Sequence, residues 1–292
     1  MQAILITAYK NYSHLEELVD FFDDTFSIYI HIDKKSSISS SQEAQLLSKN
    51  NVKFVSRQYK INWGGINHLL SILLLAKRAL HDNDNSYFHL ITGHDYPIKS
   101  LEGFYDFLSS SQNKDFMEYH SLPYEAWPEG GLDRLSRYNF YDILDGRKGI
   151  KKRLIEGFSK LQKKVGFKRK FRKGFPALYG GSTYWSLRRE SLEYVFQYMN
   201  ENPDFLNRFK YSFCSEEIFF QTILLNSSLR KNIVNNNLRF IIWEERNGNF
   251  PANLDDSDYE SILKSDSLFA RKFEYPVSSS LFLRVKKLVY PK

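Results

Sequence analysis

The sequence predicts an α/β protein built on an open sheet with helices packed against it. Three observations carry that reading. Strand, helix and strand patterns follow one another within the first 33 residues. Short β-rich runs then alternate with stretches of helical periodicity along the chain. Polar residues gather where several of the runs end, which is where open α/β sheets place their ligands.

The elements can be justified in order. Ile4 to Tyr9 is a short apolar run ending in a polar turn, the pattern of a buried strand. Ser13 and Glu16 have the spacing of a capping box, and Leu15, Leu18, Val19 and Phe22 recur behind them at helical period. Phe26 to Ile32 (FSIYIHI) is β-rich and ends at Asp33. Val52 to Val55 reads as the next strand. Beyond Trp63 and the pair Gly64-Gly65, a helix from about Asn67 to His81 carries Leu69, Leu70, Leu73, Leu74 and Leu75. Tyr87 to Thr92 is a strand that runs into GHDYP. Leu101 to Ser109 reads as a helix and Phe116 to Tyr119 as a strand. From Leu122 to Phe175 the chain is irregular, aromatic and then basic, with Ile150, Leu154, Ile155, Phe158, Leu161 and Val165 on one helical face. Gly180 to Leu187 reads as a turn and strand. Helices follow at about Ser191 to Asn200 and Glu216 to Leu225, then a strand from Leu238 to Trp243. A polar turn (Gly248 to Asp258), a helix running into FARKF and a basic amphipathic end close the chain. No internal repeat or low-complexity linker interrupts it. The expectation is one domain over 1–292 with an irregular basic insertion at about 122–175.

Composition narrows the class. Of 292 residues, 42% are hydrophobic and 16% aromatic, ample for a core. Most of the 19 Tyr and 24 Phe belong to that core and its edges, although such rings also line sugar sites. Cys214 is the only cysteine, so no internal disulfide is possible and nothing calls for an oxidising compartment. The first strand begins almost at Met1, and no apolar stretch has the length of a membrane span, so a cytoplasmic protein is expected. The net charge of +7 is uneven: Arg147 to Lys173 holds thirteen Lys/Arg against Glu156 alone, +12, leaving −5 for the remainder. The basic pI therefore reports one segment, and no nucleic-acid-binding motif accompanies it. The apolar stripe within that segment favours peripheral contact with an anionic membrane, with a solvated basic helix as the plain alternative.

Several residues could carry chemistry. Asp33, followed by Lys34 and Lys35, either ends its strand as a turn former or accepts from a ribose hydroxyl or base N–H while the lysines face phosphate. Asp95 with His94 stands where a D-x-D metal motif usually sits, but one carboxylate and one imidazole make a poor site. The D-x-D spacings at Asp82/Asp84 and Asp256/Asp258 read as solvated loops. Without a metal, fixed cations must neutralise a leaving diphosphate. Arg271-Lys272, flanked by Phe269 and Phe273, is the best candidate, against a surface pair on a helix end. Glu216-Glu217 opens a helix with Ser215 as N-cap, and acids there are either dipole partners or a general base.

Taken together, seven stretches in order resemble the core-2/I-branching β-1,6-N-acetylglucosaminyltransferases and the peptide O-xylosyltransferases. They are YIHIDKKS (29–36), INWGG (61–65), the strand into GHDYP (93–97), LYGGSTYWSLRRESLEYV (178–195), SEEIFFQTILLNS (215–227), NNLRFIIW (236–243) and SLFARKFE (267–274). The resemblance implies a GT-A type fold with a Rossmann-like mixed sheet, an inverting transfer from a UDP-sugar and no metal or other cofactor. It makes Glu217 the catalytic base, with Ser215 where the family usually has Pro. It makes Arg271 and Lys272 the diphosphate ligands. Asp33 and the turn at Trp63 and Gly64 would contact the nucleotide, and Asp95 the neighbourhood of the donor sugar. Trp243, Arg134 and Arg137 fall on the acceptor side. A further family cation has no clear counterpart; Asn249 falls near it, and Arg246 is the nearest positive charge. The cysteines, membrane anchor and stem of animal relatives are missing, which fits a bacterial-type enzyme of surface polysaccharide synthesis acting on a glycan or lipid-linked glycan. The competing readings are a metal-dependent transferase using Asp95 and His94, and a non-catalytic membrane or glycan-binding protein.

Overall fold

The structure, a computed structural model, describes residues 1–111 and 113–290. The first strand, β1 (Gln2–Ala8), is buried at every position. It lies between two parallel neighbours, so its sequence is almost continuously apolar rather than alternating. Its alternate side chains serve two cores: Ile4, Ile6 and Ala8 face one layer, Ala3 and Leu5 the other. The chain then lays down α1 (Tyr12–Asp20), β2 (Phe26–Ile32), α2 (Ser40–Leu47), β3 (Val52–Ser56), α3 (Ile66–Leu80) and β4 (Tyr87–Thr92). It continues through β5 (Tyr96–Pro97), α4 (Leu101–Ser110), β6 (Asp115–Met117), β7 (His120–Ser121), α5 (Asp133–Ser136) and α6 (Gly149–Lys164). After β8 (Tyr179–Gly180) and β9 (Trp185–Arg188) come α7 (Arg189–Glu201), α8 (Pro203–Arg208) and α9 (Phe219–Leu225). The chain closes with β10 (Ile233–Val234), β11 (Arg239–Ile241), α10 (Tyr259–Leu263), β12 (Phe269–Arg271) and α11 (Ser279–Val289).

The main sheet has the order β10-β6-β9-β4-β1-β2-β3. β1 to β4 are mutually parallel, and β9 runs antiparallel to both β4 and β6, so the sheet is mixed. The chain winds outward from β1 to β3 and then returns to the other side of β1 as β4. This reversal puts a topological switch point at the carboxyl ends of β1 and β4, where Thr7 pairs with Thr92 in register. A smaller sheet, β11-β12-β5, caps that end.

Two local expectations are corrected. Ser13 and Glu16 form no capping box: α1 starts after Asn11, which sits at φ 57° with no side-chain cap. The box lies at α2, where Ser39 and Gln42 satisfy each other's backbone N–H. FARKF is not helical. α10 ends at Leu263, and Phe269 and Ala270 are held extended by pairing with β11 and β5. The basic amphipathic end forms the C-terminal helix α11. It buries Leu281, Phe282, Val285 and Val289, and its Arg284 and Lys286 pair with Asp256 and Glu17.

Candidate active site

β12 delivers Arg271 and Lys272 to the crevice beside β1 and β4. Phe269 and Phe273 are fully buried on either side, and the Phe273 N–H donates to the His94 carbonyl at 2.9 Å. Arg271 Nε lies 3.0 Å from Asp95 Oδ1, and its guanidinium sits over the Tyr184 ring at 4.4 Å. The charges attract, but the Nε–H itself has no acceptor in line among the described residues. Asp95 has no exposed surface and accepts from the Thr92 N–H at 2.7 Å. Burial raises its carboxyl pKa, and Arg271 and the Thr92 donors pull it back. Asp95 therefore holds Arg271 rather than opening towards solvent. Lys272 has no carboxylate within 4.0 Å among the described residues, because Glu274 is taken by Lys10 at 2.8 Å. Burial, then Arg271, lowers the Lys272 pKa. His94 lies between these groups, its pKa lowered to about 2 by burial and then by Lys272, Arg271 and Lys10. Its Nε2 has no partner among the described residues. Arg271, Lys272 and Lys10 thus face Asp95 and Glu274, and the excess charge has no carboxylate partner among the described residues.

The candidate base is positioned by a sharp turn. Cys214 sits at φ 48°, and its N–H donates to the Gly64 carbonyl at 3.0 Å. Ser215–Glu217 forms one 3₁₀ turn, the helix breaks at Ile218, and α9 begins at Phe219. Ser215 is not the N-cap; its hydroxyl donates to the Phe209 carbonyl. The two acids diverge. Glu216 turns inward, with Oε1 3.0 Å from His68 Nδ1, while His68 Nε2 lies 3.4 Å from Thr7 Oγ1 at the end of β1. Glu217 turns outward, 28% exposed and paired with the Arg134 guanidinium. Burial raises its pKa to about 6 against the pull of Arg134, with Glu216 adding repulsion. The Gly181 N–H fixes its main-chain carbonyl at 2.8 Å. His68 and Thr7 tie this turn to the switch point. Thr7 falls inside the run Ile4 to Tyr9 expected as the first strand, and His68 went unrecognised; its one signal was a histidine just behind the glycine pair.

On the expected nucleotide side, Asp33 acts within its own turn, as the first of its two readings has it. Its Oδ1 accepts from the N–H of Lys35 and Ile61 at 2.9 and 3.1 Å, while Oδ2 accepts nothing among the described residues. Lys35 is committed to Asn62 and Asp145; Lys34 stays exposed. Trp63 is 52% exposed, with its ring edge against Tyr141 and Phe213. Gly64 has φ 77°, and a Cβ there would meet the Phe213 ring at 2.5 Å, so the turn requires glycine. Asp142, which the sequence did not single out, accepts from the Ile66 N–H at the start of α3 and from the Tyr211 N–H.

The acceptor-side set is divided. Arg134 lies over the Trp127 ring at 3.7 Å while gripping Glu217. Arg137 instead clamps Glu129. Trp243 is 55% exposed and packs on exposed Phe250; no hydrogen bond or ring contact joins it to Glu217 among the described residues. Arg246 is committed to Asp258, Asp255 and Glu244, and Asn249 donates to the Pro251 carbonyl. Asp258 is correspondingly buried rather than part of a solvated D-x-D loop. Among the described residues, no three His, Cys, Asp or Glu side chains gather as a metal site. Depressions of about 380 and 420 Å³ lie beside β4 and α1, away from Glu217.

The chain is 26% identical to xylosyltransferase 1 of Mus musculus, over 94% of this chain and 28% of that protein. It is 23% identical to the xylosyltransferase oxt of Drosophila melanogaster, over 90% of this chain and 30% of that protein. The chain thus spans less than a third of the length of these relatives. Among solved structures, S. aureus TarS 1-349 in complex with UDP-GlcNAc aligns at a TM-score of 0.31 and 16% identity, over 44% of this chain and 37% of that one, too slight a likeness to assign function. The family description Core-2/I-Branching enzyme matches residues 3–263. With nearly the whole described fold inside that match, the chain belongs to the Core-2/I-Branching enzyme family.

Proposed function

We infer that the protein is an inverting glycosyltransferase, moving a sugar from a UDP-sugar to an acceptor hydroxyl on a glycan or lipid-linked glycan. Xylose and N-acetylglucosamine are the favoured donor sugars, and bacterial surface polysaccharide synthesis in the cytoplasm is the setting. The observation that carries this reading is the arrangement at one end of the sheet. A half-buried cation pair lacking a full set of counter-charges among the described residues and an outward carboxylate with a raised pKa share the switch point, joined through Glu216, His68 and Thr7. Glu217 takes the proton of the acceptor hydroxyl as its oxygen attacks the anomeric carbon. UDP departs from the opposite face, and Arg271 and Lys272 carry the charge that develops on its β-phosphate. Asp33 Oδ2 and the exposed ring of Trp63 are the free groups for the nucleotide.

No metal is assigned a role. Supporting that choice, Asp95 is already engaged by Arg271 and Thr92, and the neighbouring cations repel a divalent ion from His94. The test is a melting-temperature panel of UDP and UDP-sugars, each with EDTA and with Mn²⁺. A ligand at about 100 times its dissociation constant stabilises the fold by about 2.7 kcal/mol. The expected result is a shift with UDP that persists in EDTA and shrinks in Lys272→Met. A shift seen only with Mn²⁺ would move the chemistry to a metal site. No shift with any nucleotide would leave a non-catalytic glycan-binding protein.

A further inference from the structure

The long basic helix α6 is amphipathic in an unusual sense: it leaves an apolar stripe in solvent. Ile155 and Gln162 are its buried residues, with Gln162 exchanging two hydrogen bonds with the Tyr138 backbone. Phe158 packs on Phe140 with centroids 5.1 Å apart. Ile150, Leu154, Leu161 and Val165 are 74%, 58%, 54% and 66% exposed. At 3.6 residues per turn these four fall within about 60° of one another, beside the face that docks on the protein. Arg153, Lys160 and Lys164 border the stripe on its outer side, and none has a carboxylate within 4.0 Å among the described residues.

We propose that α6 is a peripheral membrane anchor, its stripe entering the headgroup boundary of an anionic bilayer and its bordering cations lying against lipid phosphates. An apolar face edged by unpaired Lys and Arg is the composition of an in-plane interfacial helix. A second copy of the chain is a poor occupant, because a two-fold interface would set two segments of charge +12 against each other. α11 has similar composition yet buries Leu281, Phe282, Val285 and Val289, leaving Leu283 widely exposed, and pairs Arg284 and Lys286, so composition alone does not single out α6. No helix among the described residues is long and apolar enough to cross a membrane, so the contact is in-plane. The docked helix is coupled to the site. Gln162 holds Tyr138, and the Arg169 N–H holds the Ser136 carbonyl at 2.8 Å, both close in sequence to Arg134, which grips Glu217. If the proposed activity is correct, the bilayer thereby presents lipid-borne acceptors on the side of Arg134.

Flotation of the full chain with phosphatidylcholine vesicles, with and without phosphatidylglycerol, tests the anchor independently of catalysis. Flotation is expected only with the anionic vesicles and should fall as salt rises. Arg153→Gln with Lys160→Gln and Lys164→Gln should weaken binding by about 100-fold, from roughly five-fold per cation. Leu154→Asp with Leu161→Asp should weaken it by at least about 10-fold. Both variants should keep the wild-type melting temperature and its shift with UDP, since the altered side chains are exposed. Absence of flotation, equal flotation on phosphatidylcholine alone, or flotation untouched by either variant would overturn the proposal. So would a wild-type dimer, seen by light scattering, that Leu154→Asp with Leu161→Asp converts to monomer. Loss of the UDP shift in the wild type would instead count against the donor site and leave the membrane result standing.

Discussion

At Glu217 two opposed effects meet in one carboxylate. Burial disfavours its charge, Arg134 favours it, and burial prevails, leaving a pKa of about 6. A base must be ionised to accept a proton, so kcat/KM should fall as pH drops through about 6 and level off above it. Arg134→Met removes a stabilising cation and should move that midpoint upward; an unmoved midpoint would detach Arg134 from the base. Glu217→Gln keeps the shape and abolishes proton acceptance, so turnover should fall by about 10² to 10⁴ while UDP still raises the melting temperature. Undiminished turnover would transfer the role to another group, with Glu216 the nearest. Glu216 is the weaker candidate because it faces inward onto His68 and is only 5% exposed. From the sequence the two adjacent acids were separable only through family resemblance. The 3₁₀ turn that aims one in and the other out is set by Cys214 at positive φ and by the Gly64 carbonyl it binds.

The elements around the site show how closely its turns are packed. Gly181 donates to the Glu217 carbonyl, and a Cβ added there would meet the Glu118 carbonyl oxygen at 1.9 Å. Backbone cannot yield as a side-chain tip can, so Gly181→Ala should cost about 3 kcal/mol or more and depress turnover as well. Gly157, in α6, has nothing within 4 Å of such a Cβ. Gly157→Ala should instead stabilise by about 0.5–1 kcal/mol, the ordinary helical preference for alanine. Equal melting temperatures for the two variants would contradict this account of the Gly181 contact. Most elements were legible from periodicity, and the ranges of β2 and β4 match the expected Phe26–Ile32 and Tyr87–Thr92. β12 was not, because a short stretch of FARKF type has no period of its own. Its strand form comes from partners at Arg239–Ile241 and Tyr96–Pro97.

Across the whole molecule, the mixed sheet and its switch point are the GT-A type arrangement expected from the sequence. The small sheet is fastened to the large one by a buried arginine. Arg239, at the start of β11, reaches the carbonyls of Leu90 and Trp185 and the hydroxyl of Ser186. Arg239→Leu would leave those buried acceptors unpaired. It should lower unfolding free energy by about 3 kcal/mol in urea titration. An unchanged urea midpoint would show that the two sheets are held by apolar packing alone. The same fastening sets the place of β12, and with it the cation pair.

By itself the sequence determined the class of fold, the order of the main elements and the seven stretches that mark the family. These follow from local periodicity and short motifs, each contained within a few turns of chain. Only the tertiary structure decided that Asp95 supports Arg271, that Arg134 rather than Arg137 grips Glu217, and that Glu216 belongs to His68. It alone distinguished the exposed stripe of α6 from the buried one of α11. The physical reason is distance along the chain. The partners of Glu217 and Glu216 stand 83 and 148 residues away, and a charge or an apolar face has no assigned partner until the sheet brings those segments together.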